Sequence, residues 1–184
     1  MLGEAAFYGP KLDFMFKDAL GREWQLATVQ CDFNLPERFD LSFTNENGEK
    51  ERPVVIHRAI TGSLERFMSI LIEHFAGKFP LWLSPVQVKI LTVTDKHLEI
   101  ANELSARLLG EDIRVEIDSR QETIAKKIRE AQLSYANYII VLGDKELESK
   151  ALAVRDRDTG KTEFNVAVDT FVTKVVTERD ERLL

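Results

Sequence analysis

The sequence predicts two regions of different architecture in tandem: an α+β section built on an antiparallel sheet, then an α/β section with a mixed sheet. Three observations carry this. To about residue 80, short runs alternate polar and apolar residues with the two-residue period of strands, joined by turn residues. After Pro85, strands alternate with helical stripes, the pattern of layered α/β folds. Between them Phe79-Pro80-Leu81-Trp82-Leu83-Ser84-Pro85 punctuates the chain with two prolines, which divides it into 1–83 and 84–184. At roughly 100 residues the second section can hold its own core. The first has little helix to cover its sheet and reads as part of something larger.

The elements follow in order. Residues 11–16 alternate as a strand, residues 18–22 turn, and residues 24–33 form a second strand rich in β-branched and aromatic side chains. Asn45-Glu46-Asn47-Gly48 is a hairpin signal, because Asn-Gly accepts the positive φ of a tight turn. Residues 54–60 are the strand that follows. Ser63 is an N-cap for a helix whose Leu64, Phe67, Leu71 and Phe75 recur as one buried stripe, and Gly77 stops it. In the second section residues 86–93 form an apolar strand. Asp95 caps a helix carrying Leu98, Ala101, Leu104 and Leu108, and residues 113–117 are a half-buried strand. Residues 121–135 form a helix with Ile124, Ile128, Ala131 and Tyr135 on one side. Residues 138–143 and 151–155 are strands, residues 158–161 turn, and Asn165 caps a last helix with Val168, Phe171, Val172 and Val175.

Composition narrows the function. The chain of 184 residues is 44% hydrophobic and 30% charged, which is globular rather than disordered composition. No apolar run approaches the ~20 residues of a membrane-spanning helix. The first seven residues lack the basic and apolar regions of a signal peptide, so a cytoplasmic location is expected, with no membrane partner. Cys31 is the only cysteine, which excludes an internal disulfide and a four-cysteine zinc site and fits a reducing compartment. The net charge of −6 excludes duplex binding through a basic bulk field, so nucleic-acid contact must use a local patch.

Several residues could carry chemistry. Gly62-Ser63-Leu64-Glu65-Arg66 places small residues and an Arg at a helix N-terminus, where backbone N–H groups attract anions; an ordinary surface Glu–Arg pair is the alternative. Tyr8-Gly9-Pro10-Lys11 pins a Tyr and a Lys near a strand start. Thr28 and Gln30 share a strand face and Gln25 lies on the other if no bulge intervenes; satisfied core polar groups are the plainer account. His57, His74 and His97 have no metal-ligand spacing, and one strand His does not make a zinc site. Between Arg120 and Gln132, four cationic residues face Glu122 and Glu130, either a local patch or a solvated helix face. Gly143-Asp144-Lys145-Glu146 follows a buried strand, where α/β sheets present ligand-binding loops. Arg155 ends the next strand, and guanidiniums and carboxylates there can read unstacked RNA bases.

These pieces stand in a recognisable order. Phe7-Tyr8-Gly9-Pro10-Lys11, Trp24-Gln25, the run Thr28-Val29-Gln30-Cys31-Asp32-Phe33-Asn34-Leu35-Pro36-Glu37-Arg38-Phe39, and Pro53 through Phe67 closely resemble the C-terminal part of threonyl-tRNA synthetases, class II enzymes. The resemblance covers essentially the whole chain. It implies the end of a catalytic domain with its motif-3 helix over 1–83, and an anticodon-binding domain over 84–184. It implies ATP with magnesium, threonine and threonine tRNA as the complete enzyme's ligands. Arg66, Gln25 and Lys11 would then serve catalysis, Tyr8, Thr28 and Gln30 would wall the aminoacyl-adenylate pocket, and His57 would be a zinc ligand. Gln121, Arg129, Glu146 and Arg155 would contact the anticodon.

The sequence departs from the pattern at Leu26-Ala27, where the family usually has Cys-Gly, and at Gln121, often Asn. The family's other two zinc ligands, its dimer-forming motif 1, motif 2 and the editing domain lie upstream of these 184 residues. The family is homodimeric, but its dimer motif is not in this sequence. The isolated chain is therefore expected to be inactive in threonine activation. A non-catalytic tRNA-binding or regulatory paralogue is the competing reading; a flavodoxin-like small-molecule domain fits poorly because no phosphate loop is present.

Overall fold

The computed structural model describes residues 6–184, so the start of the signal-peptide argument, residues 1–5, lies outside the described residues. Two compact units are present, Met1–Phe75 and Ala76–Leu184.

In the first unit β1 (Lys11–Lys17), β2 (Glu23–Asp32) and β5 (Val55–Ala59) form an antiparallel sheet in the order β1-β2-β5. The Asn-Gly turn joins β3 (Phe43–Thr44) to β4 (Lys50–Glu51) in a separate two-stranded ribbon, so the single sheet expected from sequence is divided in two. A short helix α1 (Asn34–Arg38) was not foreseen. It is started by Asp32, whose Oδ1 accepts the N–H groups of Asn34 and Leu35 at 2.8 and 2.9 Å. The helix α2 (Leu64–Phe75) follows.

The stripe expected to be buried on α2 is not. Leu64 is 67% exposed and Phe67, Leu71 and Phe75 are half-buried. The spacing is right, but the described residues supply no apolar core for the stripe to close on. The buried hydrophobic core of the described chain runs from Leu81 onward.

The second unit holds β6 (Val88–Thr92), α3 (Leu98–Gly110), β7 (Val115–Asp118), α4 (Ile124–Leu133), β8 (Tyr138–Leu142), α5 (Asp144–Ser149), β9 (Ala151–Asp156), β10 (Thr162–Ala167) and α6 (Val168–Asp180). Strand order is β10-β9-β8-β6-β7, with β6 parallel to β7 and β8 and the last two strands antiparallel, a mixed sheet. On one face Val88, Ile90, Ile140, Leu142, Leu152 and Val154 pack with Leu104 and Leu108 of α3 and Phe171 and Val175 of α6. On the other, Leu91 and Ile139 pack with Ala131, Ile124 and Ile128 of α4. Such a double-sided core is what a buried parallel sheet requires.

Three boundaries differ from the sequence expectation. Asp95 is not a cap but begins a single 3₁₀ turn ahead of α3, which Thr94 precedes. Gln121 lies before α4, whose cap is Thr123, and Tyr135 lies beyond its end with φ 56°. Asn165 sits inside β10 at φ 58°, where the register with β9 slips between Glu163 and Val166; α6 starts at Val168 after Ala167.

The proline-flanked segment is bonded into the second unit. The Phe79 carbonyl accepts from Ser84 Oγ, Asn137 Nδ2 and Arg157 Nη1 at 3.1, 3.1 and 2.7 Å. Leu81 O accepts from Gln87 Nε2 at 2.7 Å, and Arg114 holds Trp82 O and Ser84 O at 2.9 and 2.8 Å.

Candidate functional site

In the first unit the site is built on a bulge. Phe14 pairs with Ala27 and Met15 with Gln25, which leaves Leu26 unpaired on β2. An extra residue reverses the alternation beyond it. Gln25, expected on the face opposite Thr28 in the absence of a bulge, therefore joins it. Gln25 Nε2 and Thr28 Oγ1 both donate to Asp13 Oδ1, at 2.7 and 2.8 Å, and Lys11 Nζ lies 2.7 Å from Oδ2. These bonds, Lys11 foremost and Thr28 next, hold the Asp13 carboxyl below the usual carboxylate range. Asp13 is the central acceptor that the sequence reading missed; its signal was its place two residues after Lys11, on the same strand face.

Gln30 pairs with Lys11 on one side and His57 on the other. Its Oε1 accepts from Tyr8 OH at 3.1 Å and from His57 Nε2 at 2.5 Å. An amide oxygen can only accept, so His57 carries its proton on Nε2. Tyr8 reaches Gln30 because Gly9 lets the chain press onto β2: a Cβ there, at φ 150°, would stand 2.1 Å from Cys31 O. Tyr8, Lys11, Gln25, Thr28, Gln30 and His57 are thus linked through Asp13 and Gln30 on one sheet face.

The start of α2 rests on the same bulge. Gly62 has φ 64°, and a Cβ on it would lie 2.9 Å from Leu26 O. Ser63 Oγ accepts the Arg66 N–H at 3.4 Å and donates to Glu65 at 2.6 Å. Glu65 is therefore engaged by Ser63, and the surface Glu65–Arg66 pair is not formed. The exposed Arg66 guanidinium makes no ion pair among the described residues.

Among the described residues no three His, Cys, Asp or Glu side chains converge as a metal site. His57 stands alone: its Nε2 is engaged by Gln30, which leaves Nδ1 as its one possible donor, short of the three or four ligands zinc takes. The residues present do not fit a zinc ion.

In the second unit the four candidate RNA-binding residues are spread out. Gln121 follows β7 and lines a cleft of about 520 Å³ with Arg120, Thr94 and Lys127. Glu146 follows β8 in the first turn of α5, not in a loop, and its Oε2 accepts the Gly143 N–H at 3.0 Å. Both lie at the C-terminal edge of the parallel strands. Arg155 pairs with Ile139 nearer the other edge, and its guanidinium donates to the Gln132 amide oxygen at 3.0 Å. Arg129 is exposed, three residues before Gln132 on α4, hence on the same helix side.

The first unit sets a linked group of polar side chains on one sheet face and seats the start of α2 on the β2 bulge, and the second is a mixed α/β module with polar groups at its strand ends. Residues 1–75 match the family described as tRNA synthetase class II core domain (G, H, P, S and T), and residues 87–178 match the anticodon binding domain. The chain belongs to the anticodon binding domain family, whose model spans half of it, and carries the class II core match ahead of that domain. The relatives are threonine–tRNA ligases: that of Desulforamulus reducens is 55% identical over 94% of this chain, and that of Clostridium tetani 52% over 99%. The chain spans 27% and 28% of those two proteins. Its fold is similar to a crystal structure described as the RNA binding domain of threonyl-tRNA synthetase from Cryptosporidium parvum, with TM-score 0.82 and 42% identity over 96% of this chain and 44% of that one. A putative threonyl-tRNA synthetase from Aeropyrum pernix aligns at TM-score 0.64 and 32% identity, over 98% of this chain and 43% of that one.

Proposed function

We propose that the chain is the C-terminal portion of a cytoplasmic threonine–tRNA ligase: one wall of the adenylate-forming site followed by the domain that grips the anticodon loop. The complete enzyme joins threonine to ATP as threonyl-adenylate, releases pyrophosphate, and transfers threonine to the tRNA 3′ end. The observation that carries this reading is the convergence of Lys11, Gln25 and Thr28 on Asp13. A carboxylate fixed and kept charged in this way can receive an ammonium or hydroxyl group of an amino acid. Gln30 and Tyr8 wall the pocket beside it. Arg66, at a helix start and with no ion pair among the described residues, is suited to ATP phosphates, where the class uses magnesium. Such sites act by positioning and by electrostatic stabilisation of the reacting phosphate.

In the second domain Gln121, Arg129, Glu146 and Arg155 are the proposed anticodon contacts. The test is the affinity of a threonine-tRNA anticodon stem-loop compared with one of altered anticodon. Arg155→Ala is expected to weaken binding roughly tenfold and to shrink the preference, since a guanidinium read against a base edge is worth ~1–3 kcal/mol; an unchanged preference removes the assignment. The purified 184-residue polypeptide is expected to give no threonine-dependent pyrophosphate exchange. Exchange above background would overturn the half-site reading.

A further inference from the structure

We infer that Phe164 is a stacking platform for an unpaired base of the bound RNA loop, spanning the gap between Arg155 and Glu146. This rests on the anticodon reading above and gives a function to a residue that it left without one.

The inference starts from the bulge in β10. Thr162 pairs with Arg155, Glu163 with Val154, Val166 with Leu152 and Ala167 with Ala151. Two residues, Phe164 and Asn165, therefore stand opposite Ala153. Val154 and Leu152 belong to the core packed against α3 and α6, so Arg155, Ala153 and Ala151 face the other side of the sheet. Phe164 and Asn165 line one cleft of about 660 Å³ with Ala151, Lys145, Glu146 and Ser149, which puts the ring on the face that Arg155 shares. On that face α4 packs with Leu91 of β6 and Ile139 of β8, and neither β9 nor β10 takes part in that cluster. The bulge, with Asn165 at φ 58°, aims the ring outward; Phe164 is 71% exposed.

A Phe held this way contributes little to folding, since its apolar surface stays in water. It is also the only large apolar side chain among the residues lining that cleft; the others are charged, polar or Ala. An apolar protein segment would find no continuous surface there. A flat base with polar edges meets a ring for its face, with two carboxylates, Glu146 and Glu148, and the Lys145 ammonium within the same cleft for its edge. Stacking of this kind is how unpaired bases are held on sheet surfaces. Arg129, Gln132 and Arg155 at one end of the face and Glu146 at the other are otherwise unconnected, and Phe164 lies between them.

The experiment measures binding of a threonine-tRNA anticodon stem-loop by the full chain carrying Phe164→Ala, Phe164→Tyr or Arg155→Ala, with thermal unfolding as a control. Stem-loops with 2-aminopurine at each loop position in turn report stacking. Phe164→Ala is expected to lose roughly tenfold in affinity without a shift in unfolding, and Phe164→Tyr to restore it. One loop position should be quenched by the wild type and by Phe164→Tyr but not by Phe164→Ala. Unchanged affinity in Phe164→Ala with a loss in Arg155→Ala would overturn the stacking role and leave the anticodon reading standing. Unchanged affinity in both would remove the two together. A change in self-association with RNA affinity intact would instead make this face a contact between copies, and would also overturn the inference.

Discussion

Asp118 shows how a single side chain can organise a loop and set a pH limit. It ends β7 with its carboxyl almost wholly buried, and Arg120 clamps it through Nε at 2.9 Å and Nη2 at 2.6 Å. Behind it Lys127, 2% exposed, donates to the carbonyls of Thr92 and Asp118 at 2.8 and 3.3 Å, tying β6 to β7 beneath Gln121. The Arg120 bonds, chiefly, lower the Asp118 carboxyl from 3.8 to about 2. Because the folded value lies below the unfolded one, this stabilisation is fully present above the unfolded pKa and is lost as pH falls through the folded one. The urea midpoint of the wild type should therefore drop between about pH 4 and pH 2 by more than that of Asp118→Asn. Equal pH slopes in the two proteins would remove Asp118 as the source.

At the scale of elements, what the sequence revealed and what it hid have separate physical causes. Strand alternation, the Asn-Gly turn and the α3 stripe of Ala101, Leu104 and Leu108 were legible because periodicity and local turn chemistry determine them. The Leu26 bulge was not, since Leu26-Ala27 carries no glycine or proline to mark an extra residue; without it Gln25 would face away from Asp13. β10 was hidden for a related reason. Asn165 adopts the left-handed conformation in mid-strand, and an Asn before an apolar run also reads as a helix cap. Asp13 escaped notice because two of its three partners, Gln25 and Thr28, come from another strand. The junction at Gly62 offers a check on the bulge. Gly62→Ala adds a Cβ 2.9 Å from Leu26 O at a positive φ. It should cost about 1–3 kcal/mol, seen as a lower unfolding midpoint of the first unit. A neutral substitution would mean that α2 does not seat on the bulge. Thr123→Ala, by contrast, removes only the Oγ1 acceptor that faces the Lys126 N–H of α4 at 3.4 Å. It should cost about 1 kcal/mol in the second unit.

The whole molecule divides by where its apolar surface is satisfied. The second unit closes a core on both faces of its sheet. The first leaves Leu12, Phe14 and Phe16 of β1 and Leu64, Met68 and Ile72 of α2 between 48% and 67% exposed. Much of its apolar surface therefore remains in water, and its strands gain little of the stabilisation that burial supplies. Limited trypsin digestion should accordingly cut first within residues 6–75 and leave a resistant fragment from the second unit. The start of that fragment can be tested with two truncations. A chain of residues 76–184 keeps Leu81, 1% exposed, and the carbonyls that Arg157, Gln87 and Arg114 hold. A chain of residues 84–184 loses all of these except the Ser84 carbonyl bond. Removing a buried Leu alone typically costs about 2–5 kcal/mol, and Gln87, wholly buried, would lose one of its acceptors. The shorter chain should unfold at a clearly lower denaturant midpoint, and Arg157→Ala in the longer chain should reproduce part of that loss. Matching midpoints for the two truncations would mean that the proline-flanked segment is a free connector rather than part of the domain.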